Sequence, residues 1–168
     1  MEAAIRRILV ATDLSEFSPV LLREAVKLAR LYHAELTVVH LFRPEDYGQV
    51  YAESQIPLGD YVEKLRAEMQ FLVTGPGHLD AGIPVRFQIR MTTNVVEEII
   101  FEAKRSSADI IVMGTRGRSG LARALLGSVA EAVLRRAPVP VFVVPTALLS
   151  HSSRIISEAA PMGAVSHG

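Results

Sequence analysis

The sequence predicts an α/β fold: an open sheet of five parallel strands with helices on both faces. Short apolar runs alternate with longer segments of helical periodicity along the chain, the pattern of a doubly wound domain. The run Ile110–Gly114 contains no polar residue, as expected for a strand buried on both faces. Strand, helix and strand in succession form a right-handed crossover, so we expect neighbouring strands to be parallel.

The first unit of the fold is clear in the N-terminal part. Arg6–Ala11 is a short buried strand that ends at Thr12–Asp13. Ser18 and Pro19 mark the start of a helix, with the serine as its cap and the proline at the first helical position. Ala34–Phe42 is rich in Thr, Val and Leu and predicts the second strand.

The segment after the second strand predicts a long connection. Residues 43–60 contain two prolines and two glycines and no sustained apolar period, so we expect a loop there. A loop of this length is either a lid over a site or a mobile connection, and the sequence leaves both open. A helix then runs from Tyr61 to Leu72 and should end at Gly75-Pro76-Gly77.

The remaining elements follow in the same alternation. Pro84–Met91 alternates apolar and polar residues, which predicts a half-exposed strand at the sheet edge. A helix capped by Thr92 or Thr93 comes next, then the buried strand Ile110–Gly114 and a helix that follows Ser128. Pro138–Pro145 predicts the fifth strand.

A glycine-rich loop joins the fourth strand to the last helix. Gly114, Gly117 and Gly120 are spaced along it, and Gly127-Ser128 opens the helix. Glycine lets the backbone approach a ligand closely, and a helix start offers unpaired N–H groups, so this arrangement suits a phosphate. Isolated glycines also serve ordinary turns, but this spacing exceeds what a turn needs.

Asp13 is the second candidate site residue. Ligands of open α/β sheets bind outside the carboxyl ends of the strands where the strand order reverses. We expect the first strand to be central beside the fourth, which places Asp13 next to Gly114 in one pocket. The carboxylate would then serve a ribose or a metal, and the loop would serve phosphates.

Composition excludes several function classes. The chain has 168 residues, 18 basic and 18 acidic residues and no cysteine. Balanced charge argues against nucleic acid or an anionic membrane as partner, and the lack of cysteine rules out disulfides and thiol chemistry. Ile8–Ala11 is too short for a signal-peptide core or a membrane span, so we expect a cytoplasmic protein.

Motif comparisons exclude other activities. A receiver domain needs several acids around magnesium, and Asp13 has only Glu16 near it in sequence. A dinucleotide-binding glycine motif does not follow the first strand, and no P-loop occurs. Histidines are scattered, so we expect no protein metal cage, and His40 reads as a structural histidine. No pair resembles a nucleophile with its base, so any hydrolysis should be slow.

The glycine motif resembles that of the universal stress protein family, whose domains are similar to UspA. Its nucleotide-binding members carry Gly, two residues, Gly, nine residues, then Gly-Ser or Gly-Thr, as Gly114–Gly117 and Gly127-Ser128 do here. The likeness covers roughly residues 4–146. It implies a Rossmann-like domain, similar to the adenine-nucleotide alpha-hydrolases, that acts as a dimeric regulatory module binding ATP, AMP or ADP.

The resemblance also implies roles for single residues. Asp13 would hold ribose or adenine, and the phosphates would carry a bridging magnesium ion near Ser128. Arg116 and Arg118 lie where the family's loop varies, so the resemblance implies no role for them, and we infer only that they could neutralise phosphate charge. The implied adenine slot is Ala11, Thr12, Leu41 and Met113, and the implied phosphate cradle is Gly114, Gly117, Gly127, Ser128 and Val129.

Two features depart from the family pattern, and one alternative function stays open. Met91–Asn94 lacks the family's usual glycine, and Gly75-Pro76-Gly77 interrupts a helix. We expect one domain over residues 1–146 and a flexible or partner-packed tail over 147–168. The alternative is a dimeric interaction module of the same fold that binds no nucleotide.

The fifth strand predicts a homodimer. Val141, Phe142, Val143 and Val144 leave no polar face for solvent, although the strand should lie at an edge. Two copies pairing these strands antiparallel about a twofold axis would close the assembly. Related domains commonly dimerise there.

Overall fold

The computed structural model describes residues 4–75, 82–115 and 126–145. Arg116, Gly117 and the expected tail lie outside these residues. The described chain forms ten elements in order: β1 Arg7–Thr12, α1 Ser18–Tyr32, β2 Glu35–Phe42, α2 Pro44–Ser54, α3 Leu58–Thr74, β3 Val85–Met91, α4 Val95–Arg105, β4 Ile110–Gly114, α5 Ser128–Arg136 and β5 Val141–Val144.

The sheet confirms the predicted architecture. All neighbouring strands pair in parallel, in the order β3-β2-β1-β4-β5. The half-exposed strand is at one edge, as its alternation predicted, and the first strand lies beside the fourth. Their register places Leu9 opposite Ile111 and Ala11 opposite Met113, so the two strands end side by side.

Two hydrophobic layers cover the two faces of the sheet. Alternate residues of β1 serve opposite layers, since Ile8 and Val10 pack with α1 and α3 whereas Leu9 packs with α4 and α5. This is why β1 has no polar face: both sides of a central strand are buried. Because both faces of the sheet are packed, the carboxyl ends of its strands are held in fixed positions.

The expectation of a loop over residues 43–60 is wrong. Eleven of these residues form α2, and α3 begins at Leu58. A capping box starts α2, in which the Arg43 backbone N–H donates to Asp46 Oδ2 at 2.9 Å, and Pro44 supplies a compatible φ. No residue of α2 is fully buried, and only Tyr47 and Val50 pack against the hydrophobic cluster around Phe42, so the apolar pattern of the helix is short and weak.

Both predicted helix caps are also corrected. Phe17 occupies the cap position of α1, and Ser18 lies inside the first turn with its hydroxyl buried. Asn94 caps α4 instead of Thr92 or Thr93, because its Oδ1 accepts a hydrogen bond from the Glu97 N–H at 3.2 Å. The predicted end of α3 at Gly75 is confirmed.

The fifth strand is shorter than predicted. It begins at Val141, after Pro140. Backbone groups alternate in direction along this segment, since the Pro140 carbonyl accepts from the Ile111 N–H and the Val144 carbonyl accepts from the Thr115 N–H, both on the β4 side. Val141 and Val143 therefore turn their amides to the free edge, whereas the prediction took all four amides of the strand to be available there.

A buried ionic cluster joins β3 to α4. Glu102 is fully buried and accepts from Arg90 Nε at 2.5 Å and from Arg105 through two nitrogens, the shorter contact being 2.7 Å. Hydrogen bonding to Glu102 and the negative charge of Glu102 raise the pKa of Arg105 above its usual value.

Among the described residues, no helix is both long and apolar enough to cross a membrane.

Candidate functional site

A cleft of about 630 Å³ opens at the carboxyl ends of the strands. Residues of β2, β1, β4 and β5 line it, together with the starts of α1, α4 and α5. Four strands span three intervals of about 4.8 Å each, so the cleft extends about 14 Å across the sheet. A site of this volume and position suits a small organic ligand.

The structure brings the described site candidates together in this cleft. Arg116 and Gly117 lie outside the described residues, so their positions stay predictions. The predicted site residues that line the cleft are Ala11, Thr12, Asp13, Leu41, Met113, Gly114, Gly127, Ser128 and Val129.

Asp13 lies in a tight turn that follows β1. Its Oδ1 accepts from the Ser15 N–H at 3.1 Å, and Leu14 between them has a left-handed φ of 55°. Its Oδ2 is shielded from solvent and has no hydrogen-bond partner among the described residues. An unpaired buried carboxylate oxygen costs free energy, which makes Oδ2 a candidate acceptor for a hydrogen-bond donor that enters the cleft.

Thr12 anchors the same turn from below. Its hydroxyl donates to Ser18 Oγ at 2.7 Å and accepts from the Leu14 N–H at 3.3 Å. Its carbonyl oxygen is 2.9 Å from Nδ1 of the buried His40 on β2. Buried polar groups that are satisfied in this way hold the backbone in one position.

The other end of the cleft is formed where α5 begins. Gly127 caps the helix without a side chain, and its N–H donates to the Thr115 carbonyl at 2.6 Å. Its φ of −74° is accessible to any residue. Backbone conformation therefore does not require a glycine here. The exposed Ser128 follows with the first unpaired N–H groups of α5.

The sequence did not identify several residues that line the cleft. Val39 and Ile99 complete its apolar wall, and Asn94 contributes from the start of α4. Arg43 and Asp46 come from the first turn of α2, which was predicted to be a loop. The sequence signal that could have identified these two residues was their position directly after the carboxyl end of β2.

Arg43 and Asp46 add opposite charges at the β2 end of the cleft. Arg43 Nε lies 3.7 Å from Asp46 Oδ2, a loose contact between largely solvated groups that contributes little stability. Asp46 is also a second carboxylate in the cleft besides Asp13, which sequence proximity did not reveal. Even so, the described ranges contain no group of three or more His, Cys, Asp or Glu side chains placed to hold a metal ion.

These features define an α/β domain with a ligand cleft at the switch point of a doubly wound parallel sheet. The universal stress protein family matches the chain over residues 4–145. The chain therefore belongs to the universal stress protein family, as its glycine motif predicted.

Individual relatives agree with this assignment. Universal stress protein MJ0531 of Methanocaldococcus jannaschii is 33% identical over 144 residues, which cover 85% of this chain and 84% of the relative. The solved structure of hypothetical protein MJ0577 has a TM-score of 0.69 and 26% identity, covering 85% of this chain and 97% of that one. A universal stress protein solved in complex with cAMP has a TM-score of 0.60 and 26% identity, covering 86% and 99%.

Proposed function

We propose that this chain is an adenine-nucleotide-binding regulatory protein and that ATP is its ligand, with ADP and AMP binding more weakly. The base and ribose would occupy the end of the cleft near Leu41 and Asp13, and the phosphates the end near Gly127. The bound cAMP of a relative with 26% identity supports an adenine nucleotide.

The observation that carries this proposal is Asp13 Oδ2, which is buried and has no hydrogen-bond partner among the residues that the structure describes. The other oxygen of the same carboxylate, Oδ1, already accepts a hydrogen bond from the Ser15 N–H, so the carboxylate is fixed before any ligand arrives. Ribose hydroxyls and the adenine amino group are both donors that fit a fixed acceptor. Such preorganisation lowers the ordering cost of binding.

The start of α5 fits the phosphates. Its N–H groups and the Ser128 hydroxyl are donors, and the helix dipole favours negative charge at this end. A magnesium ion would be held mainly by the phosphate oxygens, because the described residues provide no cluster of protein ligands for it. Gly117 completes the predicted loop and lies outside the described residues.

We further propose that two copies pair through β5. The strand is at the sheet edge, its outward amides belong to Val141 and Val143, and Phe142 is 41% exposed. An apolar edge with unpaired amides favours pairing with a second strand. Antiparallel pairing of two β5 strands would continue the sheet across a twofold axis.

Two measurements test the nucleotide proposal. Native mass spectrometry of the purified protein should detect a copurifying adenine nucleotide, and calorimetry should show ATP binding more tightly than ADP or AMP. Absence of binding for all three would overturn the proposal. A dimer that binds none of them would instead be an interaction module of the same fold.

A further inference from the structure

His40 is a buried polar residue at the ligand end of β2. It is 1% exposed, and its Nδ1 lies 2.9 Å from the carbonyl oxygen of Thr12 on β1. A carbonyl oxygen only accepts hydrogen bonds, so Nδ1 carries the hydrogen and donates. The hydrogen bond therefore links the His40 side chain on β2 to Thr12, the last residue of β1.

This bond fixes the peptide plane that leads into Asp13. The carbonyl of Thr12 and the amide nitrogen of Asp13 belong to one rigid planar unit. Asp13 Oδ1 is in turn held by the Ser15 N–H. The direction of Oδ2 thus follows from the turn, and His40 holds the plane at the entry of that turn.

We propose that His40 is a positioning residue for the carboxylate of Asp13. His40 does not line the cleft, so it acts through the Thr12 carbonyl rather than by touching a ligand. The proposal rests on the proposed nucleotide site. It concerns the nucleoside end of the ligand only, because the phosphate end is formed by Gly127 and Ser128, on the β4 side of Asp13.

Core packing is the competing explanation for His40. Its ring stacks near Phe42, with ring centroids 6.4 Å apart and planes 19° from parallel. A packing role requires only volume and shape, whereas a positioning role requires a donor near the Nδ1 position. Asparagine places an amide nitrogen the same number of bonds from the backbone as Nδ1, and leucine has a similar size without a donor.

The test therefore compares His40→Asn with His40→Leu. Calorimetry is run with AMP, which probes the nucleoside end, and with inorganic tripolyphosphate, which probes the phosphate end. We expect His40→Leu to weaken AMP at least fivefold and to leave tripolyphosphate within twofold. His40→Asn should keep AMP within twofold of the wild type.

Four outcomes would overturn the positioning role. Equal AMP affinity of His40→Leu and His40→Asn would show that the side-chain donor at position 40 is irrelevant. An equal loss of affinity for AMP and for tripolyphosphate in His40→Leu would show a general structural effect. If wild-type protein binds neither AMP nor ATP, the proposed function and this inference fail together. If His40→Leu does not fold, His40→Gln replaces it, because the amide nitrogen of glutamine lies one bond too far from the backbone. If His40→Gln then binds AMP as tightly as His40→Asn does, the proposal is contradicted.

Discussion

Replacing Asp13 with asparagine tests the ligand role of one atom with little change to the fold. Asparagine forms the same turn as aspartate, so its side-chain oxygen should keep the bond to the Ser15 N–H. The amide nitrogen then takes the place of Oδ2, which is shielded and unpaired among the described residues. A donor replaces an acceptor at the position where the ligand would donate.

The expected loss follows from the value of a hydrogen bond to a charged group. Such bonds contribute about 1.5–3 kcal/mol. At 1.4 kcal/mol for each factor of ten, ATP affinity should fall about 10- to 150-fold. The free energy of unfolding should stay within about 1 kcal/mol of the wild type, because the turn keeps its internal hydrogen bond.

The assay is calorimetry with ATP and with inorganic tripolyphosphate, alongside urea unfolding. Asp60→Asn is the matched control, since it removes the same charge from an exposed position in the first turn of α3 and should not alter ATP affinity. Unchanged ATP affinity in Asp13→Asn would refute the reasoning. Equal losses for ATP and tripolyphosphate would show that Asp13 acts through a metal ion or the fold instead.

Three further predictions concern the loop, the dimer and the ionic cluster. Gly117→Val should weaken ATP at least tenfold in calorimetry, because a branched side chain would stand where the backbone meets phosphate. Val143→Pro should give monomers in light scattering, because it removes an outward amide of β5 while leaving the bonds to β4. In urea unfolding, Arg90→Met combined with Arg105→Met should cost about 3–5 kcal/mol by stranding a buried charge, whereas Glu102→Leu should cost only about 1 kcal/mol because both arginines reach solvent.

Each of these predictions has a matched control or a contradicting result. Gly59→Val places its Cβ in open space on α3 and should leave ATP affinity unchanged. Phe142→Pro should damage the fold itself, because the backbone groups of that residue face β4. A Val143→Pro variant that stays dimeric removes β5 as the interface. Glu102→Leu unfolding more easily than the double arginine variant would contradict the account of the cluster.

The sequence by itself determined the architecture and the location of the candidate site. Burial on both faces leaves no polar residue in a central strand, so Ile110–Gly114 was recognisable, and one-sided exposure gave Val85–Met91 its edge position. These patterns are local consequences of burial and of the two-residue period of a strand. Gly114 and Asp13 then lie at the ends of adjacent strands, which is where ligands of this fold class bind.

Only the tertiary structure decided how the site is completed. In helix α2 no residue is fully buried and only Tyr47 and Val50 pack on a hydrophobic cluster, so the apolar pattern was too short to predict the helix. The contribution of Arg43 and Asp46 to the cleft was therefore not predicted either. The bond from His40 to Thr12 joins residues 28 positions apart. Such contacts depend on strand register, which brings distant residues together and has no signature in the local sequence. That Asp13 Oδ2 has no partner among the described residues is visible only once the donors of those residues have been placed.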